Sequence, residues 1–342
     1  MTSRNVQQPG ALHRDDPVNV RQVVGSSCAR RQGNLWNVGY ALPVVSGKNE
    51  KRYIMKNAIH LISSLFGKPL LLEAATLRTI LDALNASVGF SSPQSAVYDG
   101  GRNSNIVPIL SGVAVIPVLN ILSYRPLNFW SYLFGGTTYQ EIRGNFSQAL
   151  GNSAVSAIVL DVASPGGTIE GLFDLVDDIY QARSVKPIYA MINESAFSAA
   201  YAIASAAEKV FIPRTGRAGS IGVGVVHIDA SVAEAKAGLK FTEVCAGAGK
   251  INGTPHAPLT AKARAVYQGI VDQSYDLFVK TVARNRTLQP AHVRAQQAAI
   301  YTGKEAVSAG LADSVLSFDA AWKTVVGAKS KVAGKVTGSQ RT

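Results

Sequence analysis

The sequence predicts an α/β fold with mainly parallel strand pairing, and two observations carry that prediction. From residue 113 onward, short apolar runs of strand length alternate with segments whose apolar residues recur every three or four positions. Helices lying between successive strands favour parallel pairing, with the helices laid on the faces of the sheet.

Taken in order, Leu77, Ile80, Leu81 and Leu84 fall on one face of a helix that ends near Asn85. Residues 87–105 are rich in Gly, Ser, Pro and Asn and form a linker. Gly112–Leu119 is a buried strand, and Thr138–Phe146 opens a helix. Between them, Phe129, Trp130, Tyr132 and Phe134 make an aromatic plug over the core, with a docking surface or a lid as the alternatives. Ala157–Asp161 is a strand and Ser164–Gly167 a tight turn; Ile169, Leu172, Phe173, Val176, Ile179 and Tyr180 then mark an amphipathic helix. Pro187–Ile192 is the next strand, with Asn193–Ser195 as its turn, followed from Ser198 by a helix built almost wholly of small residues. Strands Lys209–Pro213 and Ser220–Ile228, a short helix over 231–237, a strand over 240–246 and a long helix from Thr260 to Arg286 complete the pattern.

Composition narrows the class. Of 342 residues, 47% are apolar and 16% charged, which is a globular composition. The net charge is +12, and residues 1–56 carry half of it, with nine basic residues against three acidic. Residues 1–55 lack any helical or strand period and read as a disordered extension, and 56–105 as an N-terminal helix and linker. Residues 106–315 form the main domain, and 316–342 a basic tail, with five basic residues and no acid after Asp319. Such ends suit contact with nucleic acid or an acidic surface, or serve only solubility. Cys28 and Cys245 match neither a disulfide framework nor a zinc site, which fits a reducing compartment; no metal or other cofactor is expected. Ile106–Leu122 is interrupted by Pro108, Gly112, Pro117 and Asn120 and reads as strands rather than a membrane span. With no apolar signal segment at the N-terminus, the expectation is a soluble cytoplasmic protein.

Three places carry chemistry. Ser198 opens a small-residue helix, where it is either an N-cap or a nucleophile beside unpaired helix amides. Gly166 and Gly167 follow a strand and can turn backbone amides toward a reacting carbonyl; without the Lys-Ser/Thr of a phosphate loop or a GxGxxG pattern they do not point to nucleotide binding. For a base, His227 and His256 lie in the α/β region, and a Ser-His-Asp arrangement with Asp161 or Asp229 is open by residue type. Lys250, in a loop of small residues, is the other candidate, since burial would strip its charge.

The blocks Asp161–Gly167, Ser195–Ser205, Gly219–Val223 and Gly247–Pro255 resemble, in order and spacing, the signal peptide peptidase A family of serine peptidases. The resemblance runs from about residue 70 to 315. It is closer to the phage branch of minor capsid protein C or prohead peptidases, which share the Ser-Ala-Ala-Tyr form, a Lys-x-x-Gly-x-Pro loop and a Val-Ala-Val-Ile-Pro-Val strand as at 113–118. It implies a Clp protease/crotonase-like β-β-α spiral, a peptidase domain over 106–315, and a homo-oligomeric ring in which neighbouring subunits complete each site. Ser198 is then the nucleophile, Lys250 the general base and Ser220 the serine that orients the lysine. Gly166 or Gly167, with the N–H of Ala199, forms the oxyanion hole; Ala199 stands where many bacterial members have Gly. No membrane anchor is expected, and the implied partners are a protein substrate among capsid, portal or scaffold proteins, within the host cytoplasm or the prohead. Two other readings stay open: an acyl-CoA enzyme of the crotonase type, and a structural capsid component with a lapsed site.

Overall fold

The computed structural model describes residues 68–87, 107–125 and 136–327. The aromatic residues Phe129, Trp130, Tyr132 and Phe134, the linker and the N-terminal extension lie outside the described residues.

The chain runs β1 (Leu70–Leu72), α1 (Ala74–Ser87), β2 (Ile109–Leu110), β3 (Val113–Ser123), β4 (Gly136–Thr138) and α2 (Tyr139–Gly151). It continues through β5 (Ala157–Thr168), α3 (Leu172–Ala182), β6 (Ile188–Phe197), α4 (Ala199–Ser205), β7 (Lys209–Ile212) and β8 (Arg217–Gly219). Last come α5 (Ser231–Lys236), α6 (Ala261–Arg286), α7 (Pro290–Ala295), β9 (Ile300–Thr302), α8 (Lys304–Ser308), β10 (Ser314–Val315) and a helix α9 over 318–327.

The main sheet has the order β10-β7-β6-β5-β3-β2, parallel throughout except for the β2–β3 hairpin at its edge. Its strands read as continuous apolar runs because both faces are covered. Ile158, Leu160 and Val162 of β5 point into the larger core with α2, α3, α4 and α6; Ala157 and Val159 point into a smaller one with Met191, Phe211, Ala321 and Val325. Residues 318–327 therefore form a helix that buries Ala321 and Val325, where the sequence suggested only a basic tail; Phe318, Trp322 and Val326 of the same helix pack on that smaller core beside them.

The long strands do not stop where the sequence suggested. Pairing of β3 with β5 slips at Asn120, and pairing of β5 with β6 slips between Val162 and Ser164. Beyond the slip the same strands form a second ladder. Ser164–Gly167, expected as a turn, is strand there, paired with β3 and with β1; Asn193–Ser195, also expected as a turn, belongs to β6, whose end pairs with β8. Proline and glycine here mark a bulge, not a reversal. Ser164 Oγ donates to the Asn120 carbonyl at 2.6 Å and accepts from Gly166 N–H at 3.1 Å, so polar groups near the slipped register are paired. β5 and β6 each cross from one ladder to the other and are followed by a helix, and β3 crosses likewise, with β4 between it and α2; this is the β-β-α unit the resemblance implies.

Two further strands are corrected. Residues 220–228 hold one isolated bridge, Leu70 with Gly224, and 240–246 form no strand and are exposed. Both runs have the apolar content of strands, but a strand needs a partner edge. The helices agree with their sequence signals: Thr138 and Glu141 form a capping box on α2, and Thr260 caps α6 through the Ala263 N–H at 3.1 Å.

Candidate active site

Ser198 stands between the end of β6 and the start of α4, and its backbone is at φ 53°, ψ −116°. A residue with a Cβ pays about 1–3 kcal/mol to sit in such a region, so the surroundings must hold it there. The Ser198 N–H donates to the Gly219 carbonyl at 2.9 Å, and the Ser198 carbonyl accepts from Ala202 N–H at 3.0 Å. Below it α4 is wholly buried, Ala199 through Ser205, against β5, β6 and α3. Only small side chains let a helix approach a sheet so closely. Tyr201 and Ile203 are the large exceptions, and the Tyr201 hydroxyl donates to the Leu311 carbonyl at 2.9 Å.

The hydroxyl of Ser198 does not cap the helix: it points to the Gly222 carbonyl, at a loose 3.4 Å. The N-cap reading therefore fails, and the first amides of α4 are left without that partner. The far end of α4 is closed by Arg183, which donates to the carbonyls of Ala206 (2.6 Å), Ser205 (3.1 Å) and Ala207 (2.5 Å). A cation at a helix C-terminus also opposes the negative end of the dipole.

Of the two glycines, Gly166 is the one beside the serine. A Cβ there would lie 3.1 Å from Ser198 Cβ and 2.2 Å from the Leu71 carbonyl oxygen, at φ +105°. Gly167 serves another purpose, since its Cβ would meet the Leu122 carbonyl oxygen at 1.8 Å, so it lets β5 close on β3. Ser220 is half-buried, one residue past the carbonyl that holds Ser198, with its own N–H on Ala299 at 2.9 Å. Gly166, Ser198, Ala199 and the segment 219–222 are thus brought together.

Lys250 is not brought to them within one chain. It is exposed, as is every residue from 235 to 250, and no hydrogen bond joins it to Ser198 or Ser220. The expected burial of Lys250 fails here because residues 235–250 stand in solvent, and the loop meets α6 just past the lysine, where the Tyr267 hydroxyl donates to the Asn252 carbonyl at 3.4 Å. The histidines do not take its place. His227 Nε2 is 2.9 Å from the Thr254 carbonyl, while His256 Nδ1 is 2.7 Å from Glu234 Oε1 and its ring stacks on Phe241. Asp161 is bonded to Asn193 and Asp229 to Ser231, so no Ser-His-Asp chain forms. These contacts instead tie down both ends of the Lys250 loop. The Gly219 and Gly222 carbonyls, Arg183 and β1 were not singled out from sequence; backbone carbonyls leave no residue-type signal.

Comparison with known proteins shows what the chain is similar to. Residues 180–331, the segment holding Ser198, Ser220 and Lys250, match the model of Peptidase family S49. Among curated proteins the chain is similar to the capsid assembly protease C of Escherichia phage lambda, 33% identical over 282 residues, covering 77% of this chain and 64% of that protein. It is also similar to the head-tail preconnector protein GP5 of Enterobacteria phage P21, at 34% over 280 residues (77% and 56%). A putative signal peptide peptidase SppA of Enterococcus faecium matches at 27% over 226 residues (65% and 63%). The chain spans less than two thirds of the length of these relatives. A solved 1510-N membrane-bound stomatin-specific protease shares 17% identity at a TM-score of 0.37, over 61% of this chain and 78% of that one; a score this low bears on no chemistry. Among the described residues, no helix is long and apolar enough to cross a membrane.

Proposed function

We propose that the chain is a serine endopeptidase of phage head assembly, acting on a capsid, portal or scaffold protein through an acyl-enzyme. The observation that carries this reading is Ser198: a non-glycine residue held at φ 53°, ψ −116° on a strand-to-helix turn, its hydroxyl uncommitted to capping and its Cβ beside Gly166. Strain of that kind is retained where it aims a side chain. Names of the phage relatives supply the setting.

In this mechanism Lys250, neutral, takes the proton from Ser198 Oγ as the oxygen attacks the substrate carbonyl carbon. The negative charge gathers on the former carbonyl oxygen, which accepts hydrogen bonds from the Ala199 N–H and a backbone amide at Gly166 or Gly167. Gly166 N–H would exchange its bond to Ser164 Oγ for this one. The proton passes to the leaving amine as the C–N bond breaks, and water then releases the acyl group from Ser198. Ser220 holds the lysine in line. A lysine acts as a base only after burial removes its charge, and the exposed loop of Lys250 gains such burial by association with another copy. The exposed apolar residues Leu239 (55%), Phe241 (50%) and Val244 (93%) on the same arm favour a homo-oligomeric ring.

Co-expression with neighbouring head proteins, followed by intact mass, tests the reading. Ser198→Ala is expected to leave every partner uncut. Lys250→Ala should stay folded and lose turnover by at least about 100-fold, the scale of a lost general base. Cleavage that survives Ser198→Ala would end the proposal.

A further inference from the structure

Ser198 is 1% exposed, yet a nucleophile has to be reached by a peptide. The element at its approach is β1. On one edge Leu70, Leu71 and Leu72 pair antiparallel with Thr168, Gly167 and Gly166. On the other, Leu70 exchanges both backbone hydrogen bonds with Gly224, at 2.8 and 3.0 Å. The ladder continues into Glu73, whose N–H donates to the Pro165 carbonyl at 2.9 Å. Three residues thus lie as an inserted strand between the two segments that flank the serine, and the Leu71 carbonyl reaches the spot that a Gly166 Cβ would fill.

We propose that Leu70–Leu72 occupies the cleft in which a substrate peptide would lie, so that the chain carries its own inhibitory strand and the cleft takes extended peptides with bulky aliphatic side chains. The assignment deepens the serine peptidase reading and rests on Ser198 being its nucleophile. Main-chain bonds on both edges are what a strand-adding peptide uses, and they tolerate many sequences. Selectivity comes from the side chains: Leu70 and Leu71 are 3% and 0% exposed, so the cleft buries leucine completely. Gly224, the partner of Leu70, also borders a cavity of about 410 Å3 lined by Val223, His227, Leu259, Arg264 and Tyr267. β1 can be displaced because it is only three residues long and meets the Gly224 side at one residue.

A reversible lock tests this in the full chain. With Cys28→Ser and Cys245→Ser in place, Leu70→Cys and Gly224→Cys put cysteines at a hydrogen-bonded antiparallel pair, where Cα atoms stand roughly 5.5 Å apart and a disulfide fits. A Cβ at Gly224 meets no atom within 4 Å. The probe is a capped, fluorescein-labelled peptide copying residues 68–75, read by anisotropy with Ser198→Ala also present to stop turnover. The reduced protein should bind it at least tenfold more tightly than the oxidised one. Equal binding in the two states, or no binding in either, overturns the proposal. Leu70→Pro, which removes the N–H given to Gly224, is the second variant: tighter binding than the parent supports the proposal, and unchanged binding overturns it. Fluorophosphonate labelling of Ser198 is read separately. A serine that does not label in the reduced protein even when the peptide has been washed away, with binding still following the disulfide, removes the serine–lysine reading and the inhibitory role of β1 with it, and leaves a cleft that only binds peptide.

Discussion

Ser198 and Arg183 hold opposite ends of one seven-residue helix. Ser198 enters α4 with a strained backbone clamped to the Gly219 carbonyl, and Arg183 closes its exit through the carbonyls of residues 205–207. A helix this short has little stability of its own. Its position, and so the aim of the serine hydroxyl, depends on those two attachments and on complete burial of the residues between them.

Arg183→Ala should therefore act at a distance. It leaves the carbonyls of residues 205–207 and of Asn285 without a charged donor, and hydrogen bonds to charged groups contribute about 1.5–3 kcal/mol each at most. A loss of about 2–4 kcal/mol in urea unfolding is expected, with labelling of Ser198 reduced even where the variant remains folded. Arg183→Lys should restore little, because one ammonium cannot reproduce the planar fork. Full rescue by lysine would mean that charge alone matters here.

Gly166→Ala and Gly167→Ala are expected to differ in kind. The first places a methyl group 3.1 Å from Ser198 Cβ and 2.2 Å from the Leu71 oxygen, at a φ unsuited to alanine. It should abolish serine reactivity; the strained φ alone costs about 1–3 kcal/mol, and the contact with the Leu71 oxygen adds to it unless β1 moves away. The second drives a methyl group to 1.8 Å from the Leu122 oxygen in the paired strand, and should prevent folding. Circular dichroism with fluorophosphonate labelling separates the two; equal effects on fold and reactivity would contradict the division of labour between these glycines.

Asp161 gives a pH dependence. Burial holds its carboxyl above the usual value of 3.8, and the bond from Asn193 offsets this only in part. With the native-state value raised, the native protein binds the proton more readily than the unfolded chain. The contribution to stability is fully present below the unfolded value and is lost as pH rises through the native one. Asp161→Asn should thus be more stable than the parent at pH 7, with the gap closing as pH falls toward 3. Urea unfolding across that range checks it, and parallel curves would refute it.

Val244→Asp, at a side chain 93% exposed in the single chain, should leave monomer stability within about 0.5 kcal/mol. If the arm buries Lys250 against another copy, the same change should weaken assembly and lower activity about tenfold or more at a fixed protein concentration. Sedimentation velocity run beside a peptidase assay decides the point. Unaltered assembly and activity would free the arm from that role.

The α/β class, the alternation of elements and the positions of the main helices were legible in the sequence, because each rests on local information. Leu77, Ile80 and Leu81 on one face, Thr138 with Glu141 as a capping box, and Thr260 before α6 are signals read within a few residues. Ser198, Gly166, Ser220 and Lys250 stand out in the sequence only as an ordered set of motifs; their own residue types also fit a cap, a turn and a solvated loop. Tertiary structure decided the rest. It turned Ser164–Gly167 and Asn193–Ser195 from turns into strand, since a neighbouring edge can pair a glycine-rich segment that would otherwise bend. It left 240–246 unpaired for want of such an edge, and it kept Lys250 in solvent. Above all it slid Leu70–Leu72 between Gly166–Thr168 and Gly224, a placement no local pattern could encode, because a strand is completed by partners distant in the chain.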